Sequence, residues 1–397
     1  MPAMRPDVVI AGAGPAGCAT AIALAQRGIS SRIIDRGGAP RGRSGEMLQP
    51  AARRLLEQLH VDITTQPRAL GVSSAWESEA LEQNDFFAGM SGDGWLLDRA
   101  TFDAALATAA RAAGVTFVSE LDLRGCFVVD ATGSAAAIAR GRGAKRIAYD
   151  RLTGVFGAVE GGGEGVTLIE AVEDGWWYRG GGVVAFFSDV DIIRSRRMHE
   201  VRNWLAGLEL TVHAGRRLGR RTPRLKLRSG ASAILDRVVG EDWVAVGDAA
   251  STWDPLSAAG IHKALRNGID AANAIANGTL DQYERSVRVS FHDYLATRDR
   301  YYGLVRRWPR SLFWERRRDA ITLDPSTTLH ARGGSSRAAM ANIDPRLRLP
   351  DVVAMCDEPR LARDVVAACA PRHGDASVIL ALQAMLREGV LYDCRTA

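Results

Sequence analysis

Three glycines, Gly12, Gly14 and Gly17, follow four apolar residues, Val8 to Ala11, in the spacing G-x-G-x-x-G. Pro15 and Ala16 stand between them, and a run of small residues continues to Arg27. A second strand-like stretch, Ile29 to Ile34, ends on Asp35 and Arg36. Strand, glycine turn, helix, strand and acid in that order suit one chemistry, the holding of a dinucleotide. Gly12 permits the tight turn, Gly14 lets a pyrophosphate approach the backbone, and Gly17 lets helix and strand pack closely. Unpaired N–H groups and the positive end of the helix dipole would take the phosphate charge. Asp35 would accept hydrogen bonds from ribose hydroxyls.

Two further segments must meet the same ligand. Cys126-Phe-Val-Val-Asp130-Ala-Thr132-Gly133-Ser134 is an apolar strand ending in a small-residue turn. In Trp243-Val-Ala-Val-Gly247-Asp248 a strand delivers an acid to its C-terminal end. The loop Asp254-Pro255-Leu-Ser-Ala-Ala259-Gly260 follows, and Gly260 opens a helix.

The elements that must position these residues are legible in outline. Pro50 to Leu59 reads as a short helix opened by proline. Asp98 is the expected N-cap of a helix to Ala113 whose apolar face is Phe102, Ala105, Leu106 and Ala109. Short β-prone runs between 146 and 230 predict an antiparallel sheet. Two long helices, Ile261 to Ala276 and Leu280 to about Arg307, come next. Residues 321–348 are polar, with Gly333-Gly-Ser-Ser, and read as a linker. The tail 349–397 reads as three short amphipathic helices closing on a wing.

Composition narrows the class. The 397 residues make one large or two to three ordinary domains. With 47% hydrophobic and 24% charged residues the chain is that of a soluble globular protein. No apolar run reaches the roughly 18 residues of a membrane span. The N-terminus shows no basic-then-apolar leader, so a cytoplasmic protein is expected. Five cysteines, Cys18, Cys126, Cys356, Cys369 and Cys394, form no CxxC pair and read as free thiols in a reducing compartment. The seven histidines lack ligand spacing, so no metal site is expected. The net charge of +5 is concentrated in three Arg-rich stretches, 194–197, 216–228 and 306–318. Those stretches either solvate a surface or attract an acidic partner or a phosphate-bearing cofactor. No nucleic-acid module is visible.

The Gly-rich turn, the Asp130–Gly133 turn and the Gly247–Gly260 segment together resemble the FAD-dependent monooxygenases of the p-hydroxybenzoate hydroxylase fold. Gly42-Arg43-Ser44-Gly45-Glu46-Met47-Leu48-Gln49-Pro50 is similar to a segment of the flavin halogenase-like branch. So are Gly94-Trp95-Leu-Leu-Asp98-Arg99, Asp174-Gly-Trp176-Trp177-Tyr178, Asp254 to Leu265, and Arg307-Trp308-Pro309 with Phe313-Trp314. Within that branch the chain looks most like the flavoproteins of tryptophylquinone cofactor biogenesis. It departs from the halogenases in two ways. Their Trp-x-Trp-x-Ile-Pro segment is missing, and none of the three lysines, Lys145, Lys226 and Lys263, matches their catalytic lysine.

The resemblance implies an α/β fold: a Rossmann-like FAD-binding domain, an inserted antiparallel-sheet substrate domain and a small C-terminal winged-helix-like domain. The FAD-binding domain would comprise 1–62, 95–145 and 231–280, and the sheet domain 63–94 and 146–230. A helical segment at 281–320, the linker and the 349–397 domain would complete the chain. The implied activity is hydroxylation of an aromatic ring through a flavin C4a-hydroperoxide. The ring would be a tryptophan in a peptide or protein precursor of a tryptophylquinone. FAD, O2 and either NAD(P)H or a partner flavin reductase are implied with it. Halogenation, small-molecule hydroxylation and a non-catalytic maturation factor are the alternatives.

The resemblance also assigns roles. Asp248 would bind the ribityl chain, with Gly247 beside it. Pro255, Ala259 and Gly260 would lie against the isoalloxazine. Arg36, Arg43, Arg99, Thr132 and Gly133 would complete the cofactor set. Glu46 and Arg43 either pair at the surface or contact the ring. Asp254 and His262 are the titratable groups nearest the loop in sequence and the candidates for acid or base, His262 alternatively being a packed helix residue. Trp176, Trp177 and Phe187 either fill the core or shape the substrate pocket.

Overall fold

A computed structural model describes residues 8–35, 44–85, 92–120, 126–158, 165–215, 223–318, 326–331, 349–373, 375–387 and 390–394. The strand Val8–Ala11, buried at every position, pairs in parallel with Ser31–Ile34 on one side and Phe127–Asp130 on the other. Thr116–Val118 and Trp243–Ala245 extend this sheet in parallel, and Val239–Gly240 closes it antiparallel. A strand buried on both faces must be apolar throughout, which is why no alternation marks this segment. The carboxyl ends of the strands bring Gly12, Asp35, Thr132 and Gly247 to one edge, the edge at which such sheets bind ligands.

The helix Pro15–Ala25 is buried from Ala16 through Leu24. It packs on the helices Arg99–Ala112 and Gly260–Asn277. A Cβ on Gly268 would come within 2.6 Å of the Ala16 carbonyl oxygen, so only glycine permits that close helix crossing. Asp98 caps its helix as expected, accepting from Thr101 N at 2.8 Å.

The second layer is a seven-stranded sheet. Its centre is Leu152–Ala158, Val183–Asp189, Gly175–Gly180 and Val166–Val172, neighbouring strands antiparallel. Its alternation divides the aromatics between two cores. Trp176 and Phe187 pack with Trp76, Tyr302, Phe313 and Trp314 on one face. Trp177 and Phe186 pack with Trp204 and Met198 on the other.

The C-terminal unit has its own core, built around Leu329, Val365, Leu382 and Leu391. The expected three helices are Leu349–Met355, Ala362–His373 and Asp375–Arg387. One expectation is corrected here. Thr328–Ala331, within the stretch read as linker, is the central strand of a three-stranded sheet with Arg360–Leu361 and Leu391–Asp393. Its single large apolar residue, Leu329, is fully buried. One apolar residue in four is too weak a pattern to announce a strand. Among the described residues, no helix is long and apolar enough to cross a membrane.

Candidate active site

The three ligand segments touch one another through atoms that leave no room for side chains. Gly12 has φ +115°, and a Cβ there would meet the Ala131 carbonyl oxygen at 2.4 Å. A Cβ on Gly17 would stand 2.0 Å from the Gly12 oxygen. One on Gly247, at φ +58°, would stand 2.6 Å from the Ala16 Cβ. Gly14 is the exception, for a Cβ there would meet nothing within 4 Å. The Gly14 backbone therefore borders open space. It is the N-cap of its helix and supplies no side-chain cap, with Pro15 next. The first-turn N–H groups are thus left for a ligand.

Asp130 builds the second turn. Its fully buried carboxylate accepts from Thr132 N at 3.0 Å, Thr132 Oγ1 at 2.6 Å and Ala139 N at 2.8 Å. Thr132 Oγ1 in turn accepts from Ala137 N at 2.7 Å. The Thr132 hydroxyl therefore shapes the turn, with Gly133 at φ +69° after it. Asp35 stands exposed at the end of its strand, its N–H donating to Val118 O at 2.8 Å. Arg36 and Arg43 lie outside the described residues.

Asp248 follows Gly247 at the same edge, half-exposed. Lys263 Nζ donates to its Oδ1 at 3.0 Å, and Arg146 Nη2 donates to its backbone oxygen at 3.1 Å. The loop beyond is held from behind. Asp254 is buried, and its carboxylate accepts from Leu256 N at 2.9 Å and from the Tyr302 hydroxyl at 2.8 Å. Its own N–H donates to Tyr294 OH at 2.6 Å. Tyr302 OH also accepts from Trp176 Nε1 at 2.9 Å. Burial, with Asp150 nearby, raises the Asp254 carboxyl to about 6. The front of the loop is open: Pro255 and Gly260 are exposed, and the helix from Gly260 has no side-chain cap at Ala259. Ala258 is held at φ +48°, a strained conformation for a residue with a side chain. Gln49 Nε2 ties the loop to the 44–50 segment through Ser257 O at 3.3 Å.

Several expected roles change on this geometry. Asp254 caps the loop from inside and faces no open cleft. Arg99 is buried and grips two carboxylates, Glu46 at 2.6 Å and Asp103 at 3.1 Å, so its guanidinium fixes Glu46. Trp177 points to the face away from the loop, because adjacent strand residues alternate. Trp176 stacks on Phe187 with ring centres 4.1 Å apart, and both are buried core residues beside Tyr302. His262 is half-buried, and burial and Arg266 hold its imidazole below the usual range.

Sequence reasoning missed Tyr178, Tyr294, Tyr302, Arg146 and the pairing of Lys263. The signal for one group was present: Tyr294, Arg298 and Tyr302 recur at i, i+4 and i+8, a polar stripe on a buried helix face. Tyr178 lies on the Trp176 face, and burial pushes its hydroxyl up to about 12.

Residues 5–147 match the FAD binding domain family. The chain is an FAD-dependent oxidoreductase. The residues present fit FAD, since the open Gly14 backbone and two uncapped helix N-termini are donors for its phosphates and for the charge of its ring. This oxidoreductase is 27% identical over 355 residues to LodB of Marinomonas mediterranea, described as an FAD-dependent oxidoreductase. That match spans 78% of the chain and 96% of LodB. Among solved structures it resembles the myxobacterial chondrochloren halogenase CndH, with TM-score 0.69, 18% identity and 97% of both chains covered. It also resembles the peptidyl tryptophan dihydroxylase QhpG, with TM-score 0.66, 20% identity, and 97% of this chain and 99% of that one covered. The fold is that of the p-hydroxybenzoate hydroxylase-like flavoprotein monooxygenases.

Proposed function

We propose that this flavoprotein hydroxylates an aromatic ring, a tryptophan side chain in a peptide or protein precursor of a tryptophylquinone. One observation carries the choice over halogenation, the placement of the three lysines. Lys145 and Lys226 are exposed, and Lys263 is buried in its pair with Asp248. None stands free beside the loop to serve as the halogenases' lysine does. QhpG, a peptidyl tryptophan dihydroxylase of matching length and fold, supports the substrate class.

FAD, when bound, would supply the activation of O2, one atom of which goes to the ring while the other leaves as water. NAD(P)H or a partner flavin reductase supplies the electrons. The chain's own residues do the rest. The Gly14 turn and Asp248 hold the cofactor, and the Gly260 helix terminus favours negative charge beside it. Asp254, Tyr294 and Tyr302 keep the loop in place. The apolar sheet face excludes water, which would otherwise divert the oxygen. An indole ring is already nucleophilic, so no side-chain base is required. We assign cofactor holding to the parallel-sheet domain and substrate shaping to the seven-stranded sheet. The C-terminal unit, which resembles the small winged-helix folds that hold leader peptides, either caps the substrate domain or holds the peptide.

Halogenation is the second reading, favoured by the full-length likeness to CndH. The test is mass spectrometry of a tryptophan-bearing peptide after turnover with FAD, reductant, O2 and bromide. A gain of one or two oxygens is expected. A bromine adduct, or an unmodified peptide beside an oxidised free indole, would overturn the reading.

A further inference from the structure

The pair between Lys263 and Asp248 is lopsided. The Asp248 side chain is 44% exposed, whereas the Lys263 side chain is 4% exposed. One oxygen of Asp248 is held from the protein side at 3.0 Å, and the carboxylate stays open to solvent at the strand end beside Gly247. Lys263 also donates to the Ser251 carbonyl and lies 5.6 Å from the centre of the Trp253 ring. It sits one turn inside the helix that Gly260 opens, so one side chain ties that helix to the end of the Trp243–Ala245 strand. Arg146 fixes the same junction through the Asp248 carbonyl and Thr252 Oγ1.

An ion pair with one partner buried is weak evidence for stability, because taking the ammonium out of water offsets much of the attraction. A purely structural link here would not need one partner turned toward the ligand. An unpaired carboxylate at this point would repel the FAD phosphates and oppose reduction of the flavin, since reduced flavin carries negative charge near N1. We infer that Lys263 is a positioning residue that neutralises Asp248, so that this carboxylate can hold the cofactor without repelling the phosphates or the reduced ring. The inference rests on FAD as the cofactor and is independent of which product the enzyme makes.

The experiment uses full-length protein reconstituted with FAD, reading the flavin midpoint potential and the FAD dissociation constant. Lys263→Met is expected to shift the potential to more negative values and weaken FAD binding by about tenfold or more. Lys263→Arg should retain both properties. The double variant Lys263→Met with Asp248→Asn should recover most of the potential, because the unpaired charge is gone. Should Lys263→Met fail to fold, Lys263→Gln carries the test, for its amide can donate but bears no charge. A folded Met or Gln variant with the wild-type potential and affinity would overturn the inference. So would a double variant with a potential as negative as that of the single one.

Discussion

The phosphate cradle and the underside of the flavin loop sit at the same sheet edge and are built on opposite principles. At the cradle, backbone donors are left without side-chain partners, and glycines stand at Gly12 and Gly17, where a Cβ would strike backbone, and at Gly14, where one would enter the open space. Beneath the loop, buried polar groups are matched to one another: Asp254 to Tyr302, Tyr294 and Leu256 N, and Arg298 Nη1 to Asp150 at 2.7 Å and Ser232 Oγ at 2.8 Å. Unsatisfied backbone groups form the binding surface, while a satisfied side-chain network sets where that surface stands. Substitutions in the two regions should therefore fail in different ways.

The largest effect is expected at Gly17, whose Cβ would overlap the Gly12 carbonyl. Gly17→Ala should lower unfolding free energy by on the order of 3 kcal/mol and abolish FAD retention, read by denaturant titration and flavin fluorescence. Tyr302→Phe comes next. It removes the hydroxyl that joins Trp176 Nε1 to Asp254 and leaves both buried, costing about 1–3 kcal/mol. Apo-protein melting should show the loss, in contrast to Gly14→Ala, which should alter binding alone.

A subtler effect concerns pH. The Asp254 carboxyl titrates near 6 in the folded chain and in the ordinary range, about 3.9, when unfolded. The folded state thus binds this proton more tightly. Its contribution to stability rises as pH falls from about 6 to about 4 and is constant above and below that window. The difference in stability between wild type and Asp254→Asn, measured across that range, should show this slope. A difference that stays flat would contradict the burial of a titrating carboxyl at the loop. The smallest effect is expected for Lys145→Met and Lys226→Met, which should change stability by less than about 0.5 kcal/mol and leave product formation intact.

Much of the cradle was legible because its demands are steric and local. Gly12, Gly14 and Gly17 are read from spacing alone, since Gly17 answers to Gly12 five residues back and Gly14 to the ligand, although the Ala131 carbonyl that also requires Gly12 comes from far along the chain. The strand ends at Asp130 and Asp248 were legible for the same reason. The loop's underside was not, because its partners come from far along the chain: Tyr302 reaches Asp254, and Trp176 reaches Tyr302, across separations that no local pattern encodes. The ion pairs of Arg99 were hidden for a related reason. Its position at a helix start suggested FAD phosphate or ribityl oxygens, and nothing local announced that a strand more than fifty residues away also supplies Glu46 as a partner. Trp176 and Trp177 took the core-filling reading, on opposite faces, because adjacent strand residues alternate. Thr328–Ala331 hid because its only strong mark is one buried leucine.

FAD titration of wild type beside Gly14→Ala tests the central claim most directly. A Cβ at Gly14 meets no protein atom, so the variant should melt at the wild-type temperature as apo-protein while binding FAD at least about tenfold more weakly. Equal affinity in the two proteins, or a wild-type chain that takes up no flavin, would contradict the account.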